Sequence, residues 1–516
     1  MNNFLKNEIL LFDRQSGGPL NVLNCFPNTY EVGMASLGYQ NIFKLYATNP
    51  NTHTFRYFTN FHEIQPKDIH LMTFSISWEL DFINLLEILK QLNIPFKASE
   101  RGPGHPLILG GGPVLTANPE PWADFFDIIA IGDSENNTDL IINACLRHCE
   151  ERSDVLTAFT QIPGIYVPSL NNKVERQKSS NKQLQMSSVI APDSCWSNVG
   201  LLEVARSCPE MCRFCLASYL SLPFRVPDLE TDLIPKVQGL LKYTNNIGLL
   251  GASVTQHPEF IDLLSSLRGA KRGSNPELKV QIASMRASTV TAEMCELLVE
   301  LGVQNLTIAI ESGSQRLRDI INKKLPEEYI FSAARYAAAA GMKQLKFYGM
   351  VGLPHETDED IDATIDLLLR LKKENPRLKI IWGCSIFTPK AQTPFQDYGI
   401  DPNSEKKLQK LIKALKPQGI DVREESYKWA QVQALISRGD RSINEVLIQV
   451  YQTKNTSFGV YKKLMDLVAY KHFVFDNWDS DKPGFKYPWS NLVTEKQAKM
   501  LVEHKQDAAS VSVTND

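Results

Sequence analysis

Twice along this chain, short apolar runs that stop at glycine, serine or proline alternate with longer stretches of helical spacing. The apolar runs are nearly continuous, as strands buried on both faces require. A strand, an amphipathic helix and another strand in succession build a parallel sheet with helices packed on its faces. That alternation predicts an α/β fold from the pattern alone.

The first block covers residues 1–150. NVLNCF stops at Pro27, and IHLMTFSIS, PLILGGG and FFDIIAIGDSE follow as further strand-like runs. MASLGYQNIFKLYA and WELDFINLLEILKQLN carry helical spacing between them. A Rossmann-like, doubly wound parallel sheet is predicted. Ligands of such sheets bind beyond the carboxyl ends of the strands. Those ends carry Ser75 and Ser77, then Gly110, Gly111 and Gly112, then Gly132 to Glu135. Glycine at a strand end lets backbone approach a large ligand closely. Residues 151–195 read as a linker, with IPGIYVPS as a strand or hairpin and NNKVERQKSSNKQLQMSS as a solvated loop.

The second block, residues 196–395, repeats the theme. LLEVARS, NNIGLLGAS, LKVQIASMR, NLTIAIESGS, QLKFYGMVGLP and KIIWGCSIFTP are six strand-like runs with helical stretches between most of them. They predict a partial (β/α)6 TIM barrel, whose chemistry sits where strands end and loops begin. Residues 396–516 change character. EKKLQKLIKALKPQG, INEVLIQVYQ and GVYKKLMDLVAY predict a helical C-terminal region, and the aperiodic QDAASVSVTND predicts a disordered tail.

Formal net charge is −3 over 516 residues, which gives no global attraction to nucleic acid or acidic lipid. No run of about 18 apolar residues suggests a membrane span. The first residues lack the apolar core of a secretion signal. Of nine cysteines, three crowd into eight residues and six are scattered, a usage that suits a reducing cytoplasm and a metal site rather than a disulfide scaffold.

The crowded three are Cys208, Cys212 and Cys215 in RSCPEMCRFCLA, just after the first strand of the second block. Thiolates are soft ligands that suit iron–sulfur clusters. Three of them bind three irons of a cubane and leave the fourth open. Structural zinc is the competing metal, but it normally takes a fourth protein ligand. Chance clustering on a loop is the other alternative.

The CxxxCxxC spacing at that position resembles the radical S-adenosylmethionine (SAM) superfamily. The resemblance implies a 4Fe–4S cluster whose open iron is chelated by the amino and carboxylate groups of SAM. An electron from the cluster then splits SAM to a 5′-deoxyadenosyl radical. It implies that Phe214 lies near adenine. Gly251, Ala252 and Ser253 stand where many members carry Gly-Gly-Glu for the SAM amino group, a departure from the pattern. Ser284 and Arg286 end the third strand, facing SAM and substrate. Glu311 and Ser312 end the fourth, where relatives contact ribose or methionine. Arg318 is implied as a carboxylate partner, and Lys346 with GMVGLP as the strand near adenine. Each has a plainer alternative: a turn for Gly251, a helix cap for Glu311, a surface charge for Arg318.

The layout further resembles the radical SAM class with an N-terminal cobalamin-binding domain, through FPNTYEVGMASLGYQ, LILGGGPVLTANPEP, IIAIGDSE and the SRGDR run at residues 437–441. Many cobalamin proteins carry Asp-x-His-x-x-Gly. This chain has only Asp68 and His70 of a partial match, with Phe74 near the position where glycine is needed. Members of the class often bind cobalamin without a protein histidine. The resemblance implies cobalamin-dependent methyl transfer to carbon, an unknown substrate and an electron donor such as flavodoxin or ferredoxin. A methylthiotransferase-like enzyme would need a second cluster, for which Cys25, Cys145, Cys149 and Cys195 make a poor set. A non-catalytic iron–sulfur sensor or RNA-binding module is the reading outside enzymes, and nothing in the sequence suggests a nucleic-acid partner. Cys295 and Cys384 read as core, and His257 as a loop residue or a neighbour of SAM.

Overall fold

The computed structural model describes residues 4–65, 67–147 and 152–514. It divides into two compact units. One comprises Met1–Gly200, Leu435–Phe473 and Asp479–Gln497; the other comprises Leu201–Ala434, Val474–Trp478 and Ala498–Asp516. The consecutive domains expected from the sequence are therefore interleaved, because segments beyond residue 434 return to both units.

The first unit holds a sheet of β1 (Leu20–Cys25), β2 (Thr52–Tyr57), β3 (Leu71–Ser75), β4 (Leu107–Gly111), β5 (Ile128–Ala130) and β6 (Ile165–Tyr166). Their order is β2-β1-β3-β4-β5-β6, with every pair parallel except β5 and β6. The chain reverses direction across the sheet between β1 and β3, the switch point at which such sheets open a crevice for ligands. Leu20 and Val22 join Leu71, Leu109 and Ile128 in a core with Ile141, Ile142, Val155 and Phe159 of the helices Thr138–Arg147 and Arg152–Phe159. A second core gathers Phe26, Tyr30, Tyr39, Phe43, Phe58 and Phe61.

β2 escapes the sequence reading because THTFRY carries an arginine mid-run. Arg56 is fully buried, and its Nη2 lies 2.8 Å from both Glu8 and Glu63. The stretch after β6 is also less solvated than its composition suggests. Val174, Arg176, Ser179, Leu184, Ser187 and Ser188 are buried, and Gln177 exchanges backbone hydrogen bonds with Ile131 and Asp133.

The second unit holds β7 (Val199–Ala205), β8 (Asn246–Gly251), β9 (Lys279–Ile282), β10 (Asn305–Glu311), β11 (Gln344–Val351), β12 (Lys379–Ile386) and β13 (Asp421–Glu424). β7 to β9 form one sheet and β10 to β13 another, each in chain order, and a parallel bridge from Met285 to Ile308 joins them. The six expected strands are present, with β13 added at the far edge. DVRE has no apolar run to announce it. The pairs β8–β9 and β10 through β13 are parallel. Buried Leu345, Phe347 and Val351 on β11 face away from half-buried Lys346 and Met350 and exposed Tyr348, as the alternation of a strand demands.

The chain end expected to be disordered is instead the helix Glu495–Thr514. Leu501, His504, Lys505, Ala508 and Val511 are among its buried or half-buried positions, an i, i+3, i+4, i+7 stripe. Two charged or polar members and one alanine kept this stripe from reading as apolar. GVYKKLMDLVAY, expected as one helix, is two, Phe458–Leu464 and Leu467–Val474.

Candidate active site

β7 delivers the chain to the three cysteines. Ser207 and Met211 both adopt left-handed backbone, with φ of 70° and 56°. For residues with a side chain this conformation is uncommon and persists where neighbours enforce it. Asn322 is the enforcer at Met211: its amide donates to the carbonyl oxygens of Glu210 (3.2 Å) and Met211 (2.9 Å). Cys215 donates its backbone N–H to Cys212 O at 2.9 Å, and the helix Leu216–Leu220 starts immediately after.

All three thiols are free; Cys212 is buried and the other two half-buried. Burial pushes the Cys212 thiol up to about 12, against the opposing pull of Lys323, and Cys208 and Cys215 are near enough to add to the rise. Burial raises Cys215 as well. Loading such a site with iron therefore releases protons, so assembly is favoured as pH rises. Among the described residues, no three His, Cys, Asp or Glu side chains converge as the ligands of one metal ion. A cubane makes no such demand, since each cysteine takes a different iron. Three adjacent soft donors beside a cationic side chain fit a cluster.

A chain of charged groups surrounds the loop. Lys323 Nζ lies 2.8 Å from Glu311 Oε1, and both are buried. Burial lowers the Lys323 pKa, but Glu311 and then Cys212 outweigh it and hold the ammonium above its usual range. Glu311 itself has φ of 68° at a register shift in β10, which turns its side chain out of the strand alternation. On the other side Ser253 donates to Gln256, Gln256 Nε2 donates to Glu210 at 2.5 Å, and Glu210 pairs with Arg286 at 3.2 Å. Cys208 Sγ is 3.9 Å from Gln256 Oε1.

Several residues singled out in the sequence gather here: Phe214, Gly251, Ser253, Arg286, Glu311 and Ser312. Gly251 closes against β7, where a Cβ would meet Ala205 O at 2.5 Å. Arg286 donates to the carbonyls of Lys323 (2.8 Å) and Lys324 (2.7 Å), so it braces the loop after β10. Ser284 is half-buried between β9 and the Met285 bridge. Ser312 sits among Thr364 and Ser314.

Arg318 requires a correction. It is fully buried and donates to Leu325 O, Ser312 O and Gln315 Oε1, each at 2.8 Å. Its fork is occupied in shaping the loop after β10, and no part of it reaches solvent to meet a carboxylate. Lys346 lies apart from the cysteine loop, on the open face of β11, 3.1 Å from the Tyr348 hydroxyl and 4.5 Å above its ring. Thr307 and Ala309 of β10 and Gly383 and Ser385 of β12 share this face by register. His257 is buried in a loop role, bonded to Pro227 O at 2.9 Å and to Glu259 N at 3.1 Å. Cys295 and Cys384 are core residues.

The first unit treats its strand ends differently. A Cβ on Gly110 would meet Leu115 and Phe126 at 2.6 and 2.8 Å, and one on Gly112, at φ +106°, would meet Ile76 O at 2.4 Å. At these two glycines the missing side chain makes room for neighbouring side chains and backbone. Gly111 meets nothing nearer than Ala130 at 3.9 Å. Around it Ser75 is half-buried, Ser77 is exposed and Trp78 is 46% exposed. His70 is on the opposite edge, accepting from Asn21 N before β3 begins.

The cysteines that a second cluster would need do not assemble. Cys25 is buried in β1, Cys145 is half-buried in a helix and Cys195 is exposed, while Cys149 lies outside the described residues.

Parallel strands in chain order, with three free cysteines on the loop after the first of them, define an α/β protein with a candidate iron–sulfur site. The family described as the radical SAM superfamily matches residues 202–368, and the one described as radical SAM proteins, N-terminal, matches residues 47–168. Residues 202–368 thus form a radical SAM domain, and residues 47–168 match the N-terminal domain found in radical SAM proteins. It is 28% identical over 433 residues to an uncharacterized protein of Methanocaldococcus jannaschii, spanning 83% of this chain and 90% of that one. It is 24% identical over 269 residues to the tRNA-2-methylthio-N(6)-dimethylallyladenosine synthase of Geobacillus thermodenitrificans, about half of either chain at 49%. Among solved structures, the radical SAM methyltransferase TsrM of Kitasatospora setae, with cobalamin and a 4Fe–4S cluster bound, superposes with a TM-score of 0.56 at 11% identity. That match covers 85% of this chain and 100% of TsrM, and it establishes a shared fold.

Proposed function

We propose that this protein cleaves SAM reductively at a 4Fe–4S cluster on Cys208, Cys212 and Cys215, and uses the radical for cobalamin-dependent methyl transfer to carbon. The observation that carries the reading is the cysteine loop itself: three adjacent thiols at the carboxyl end of the first strand, held by Asn322 and flanked by the Lys323–Glu311 pair. Bound there, the cluster would supply the electron for reductive cleavage of SAM, and cobalamin would carry the methyl group.

The chain's own residues do the rest. Phe214, Gly251, Ser253, Ser284, Glu311 and Ser312 line the ends of successive strands around the loop and would bind and orient SAM. The open face with Lys346, Tyr348, Met350 and Ser385 offers a polar and aromatic floor to the substrate. In the first unit Ser75, Ser77, Trp78 and Gly111 leave the ends of β3 and β4 uncovered by internal packing, which suits a broad, flat cofactor there. The likeness to TsrM supports cobalamin as that cofactor. A reducing compartment and a flavodoxin- or ferredoxin-type electron donor complete the reading, in keeping with the free cysteines. Among the described residues no helix is long and apolar enough to cross a membrane.

Anaerobic reconstitution with iron, sulfide and hydroxocobalamin tests this. The expected result is about four irons per chain, stoichiometric cobalt and 5′-deoxyadenosine on adding SAM and reductant. Zinc in place of iron, or a cluster that survives Cys212→Ala, refutes the cluster assignment. A cluster without SAM cleavage returns the protein to the sensor reading, and iron without cobalt removes the methyl-transfer step.

A further inference from the structure

Between Cys212 and Cys215 lies Arg213, whose side chain is clamped from two sides. One Nη donates to Asp319 O (3.1 Å) and Ile320 O (2.5 Å), at the end of the helix Gln315–Ile320. Its Nε donates to His504 O (2.6 Å) in the helix Glu495–Thr514. The same histidine reaches the loop a second time. Its Nδ1 lies 2.7 Å from the Tyr219 hydroxyl, which is 3.2 Å from Met211 O, one residue before Cys212. Burial and the nearby Arg213 lower the His504 pKa, which disfavours the charged ring.

The helix is anchored along its length. Lys505 pairs with buried Asp397. Ala508 is fully buried among Leu317, Ile320, Ile321, Phe387 and Phe395, with Phe214 packed against the same cluster. An alanine there lets the helix axis approach closely. All of these contacts lie within the second unit.

We propose that His504 is a positioning residue for the cluster. The C-terminal helix locks the backbone between Cys212 and Cys215 through Arg213, locks Met211 through Tyr219, and shields that flank of the thiols from water. The inference rests on the cluster reading above and adds to it a part for residues 498–511. Orientation of first-shell ligands by outer partners typically governs metal retention by an order of magnitude or more. Solvent exposure and nearby hydrogen bonds also set the potential of an iron–sulfur cluster.

The test uses the full chain with His504→Ala and His504→Gln, alongside a chain ending at Gln497. Each is reconstituted and followed by iron content, loss of the cluster's visible absorbance in air, and a potentiometric titration read by electron paramagnetic resonance. In His504→Ala the cluster should assemble, bleach about tenfold faster and titrate at a more positive midpoint. His504→Gln, whose side-chain amide N–H can donate to the Tyr219 hydroxyl while that hydroxyl donates to Met211 O, should recover most of the lifetime and the midpoint. The chain ending at Gln497 should lose iron on desalting. A His504→Ala cluster with unchanged lifetime and midpoint overturns the proposal, and so does a glutamine variant as impaired as the alanine one. If the shortened chain does not fold, the two point variants decide. Wild type that assembles no iron, or a Cys212→Ala chain that keeps its cluster, refutes the cluster reading instead.

Discussion

At the carboxyl ends of β7 to β10 the second unit interlocks its charged side chains, whereas at the ends of β3 and β4 the first unit leaves a tryptophan and a serine in solvent. Both units are built mainly on parallel strands, and both put small and polar residues where strands stop. On the function proposed above, the difference follows from what each end would hold. A cluster is compact and is held by a few strong bonds, so its thiols must be presented on a loop that cannot drift. Lys323, Glu311, Glu210, Arg286, Gln256 and Asn322 tie that loop to the strands on either side. A large planar ligand would be held by area and would call for an open edge, while Gly110 and Gly112 keep the framework under that edge tight.

The largest effect should come from breaking the interlock. Lys323→Met leaves Glu311 buried without its cation, and breaking a buried pair in this way costs about 3–5 kcal/mol. Chemical denaturation should show that loss, with iron retention falling alongside it. A stability change under about 1 kcal/mol would mean that the pair is solvated and the contrast with the first unit overstated.

Next in size is a paired substitution at adjacent glycines. Gly112→Ala forces a methyl group against Ile76 O at a left-handed φ, and should cost about 1–3 kcal/mol. Gly111→Ala meets only Ala130 and should lie within about 0.5 kcal/mol of wild type, while weakening hydroxocobalamin binding. Equal destabilisation by the two would erase the distinction between packing glycine and open glycine.

Trp78→Ala should leave the unfolding curve nearly unchanged and weaken hydroxocobalamin about tenfold, or about 1.4 kcal/mol. Quenching of tryptophan fluorescence by the corrinoid should diminish in the same variant. Unaltered affinity would move the ligand away from the ends of β3 and β4.

The smallest effect is a pH dependence. Burial raises the Asp81 carboxyl from its usual value to about 6, Asn28 donates a bond that opposes the rise, and Glu79 adds to it. A raised carboxyl binds more protons folded than unfolded, so its contribution is complete below about pH 4 and is lost as pH climbs through about 6. Asp81→Asn should therefore raise the melting temperature at pH 7.5 and change it little at pH 4. The reverse pattern would show that the carboxylate is stabilised in its charged form.

Much of the fold was legible because its signals are local. The nearly continuous apolar run LLEVARS announces a strand buried on both faces, QLKFYGMVGLP announces one by its alternation, and the helical stretches between strands make them parallel. β2 and β13 were not legible. In β2 the run is broken by Arg56, whose burial depends on Glu8 and Glu63, and β13 is a short polar edge. The Cys208, Cys212 and Cys215 triad was legible for a similar reason, since its spacing is itself the ligand geometry of one loop. Arg318 misled, because a guanidinium that binds carbonyls of its own loop and one that awaits a carboxylate look the same in sequence.

The sequence by itself determined the parallel α/β architecture and the identity of the three thiols, because both are written in residue spacing that the backbone's own periodicity converts to structure. Tertiary structure alone decided what holds those thiols in place. Arg213 meets His504 across 291 positions and Asn322 meets Met211 across 111. No local pattern encodes which distant carbonyl a buried donor will find. Only packing, by excluding water, makes leaving that donor unpaired too costly.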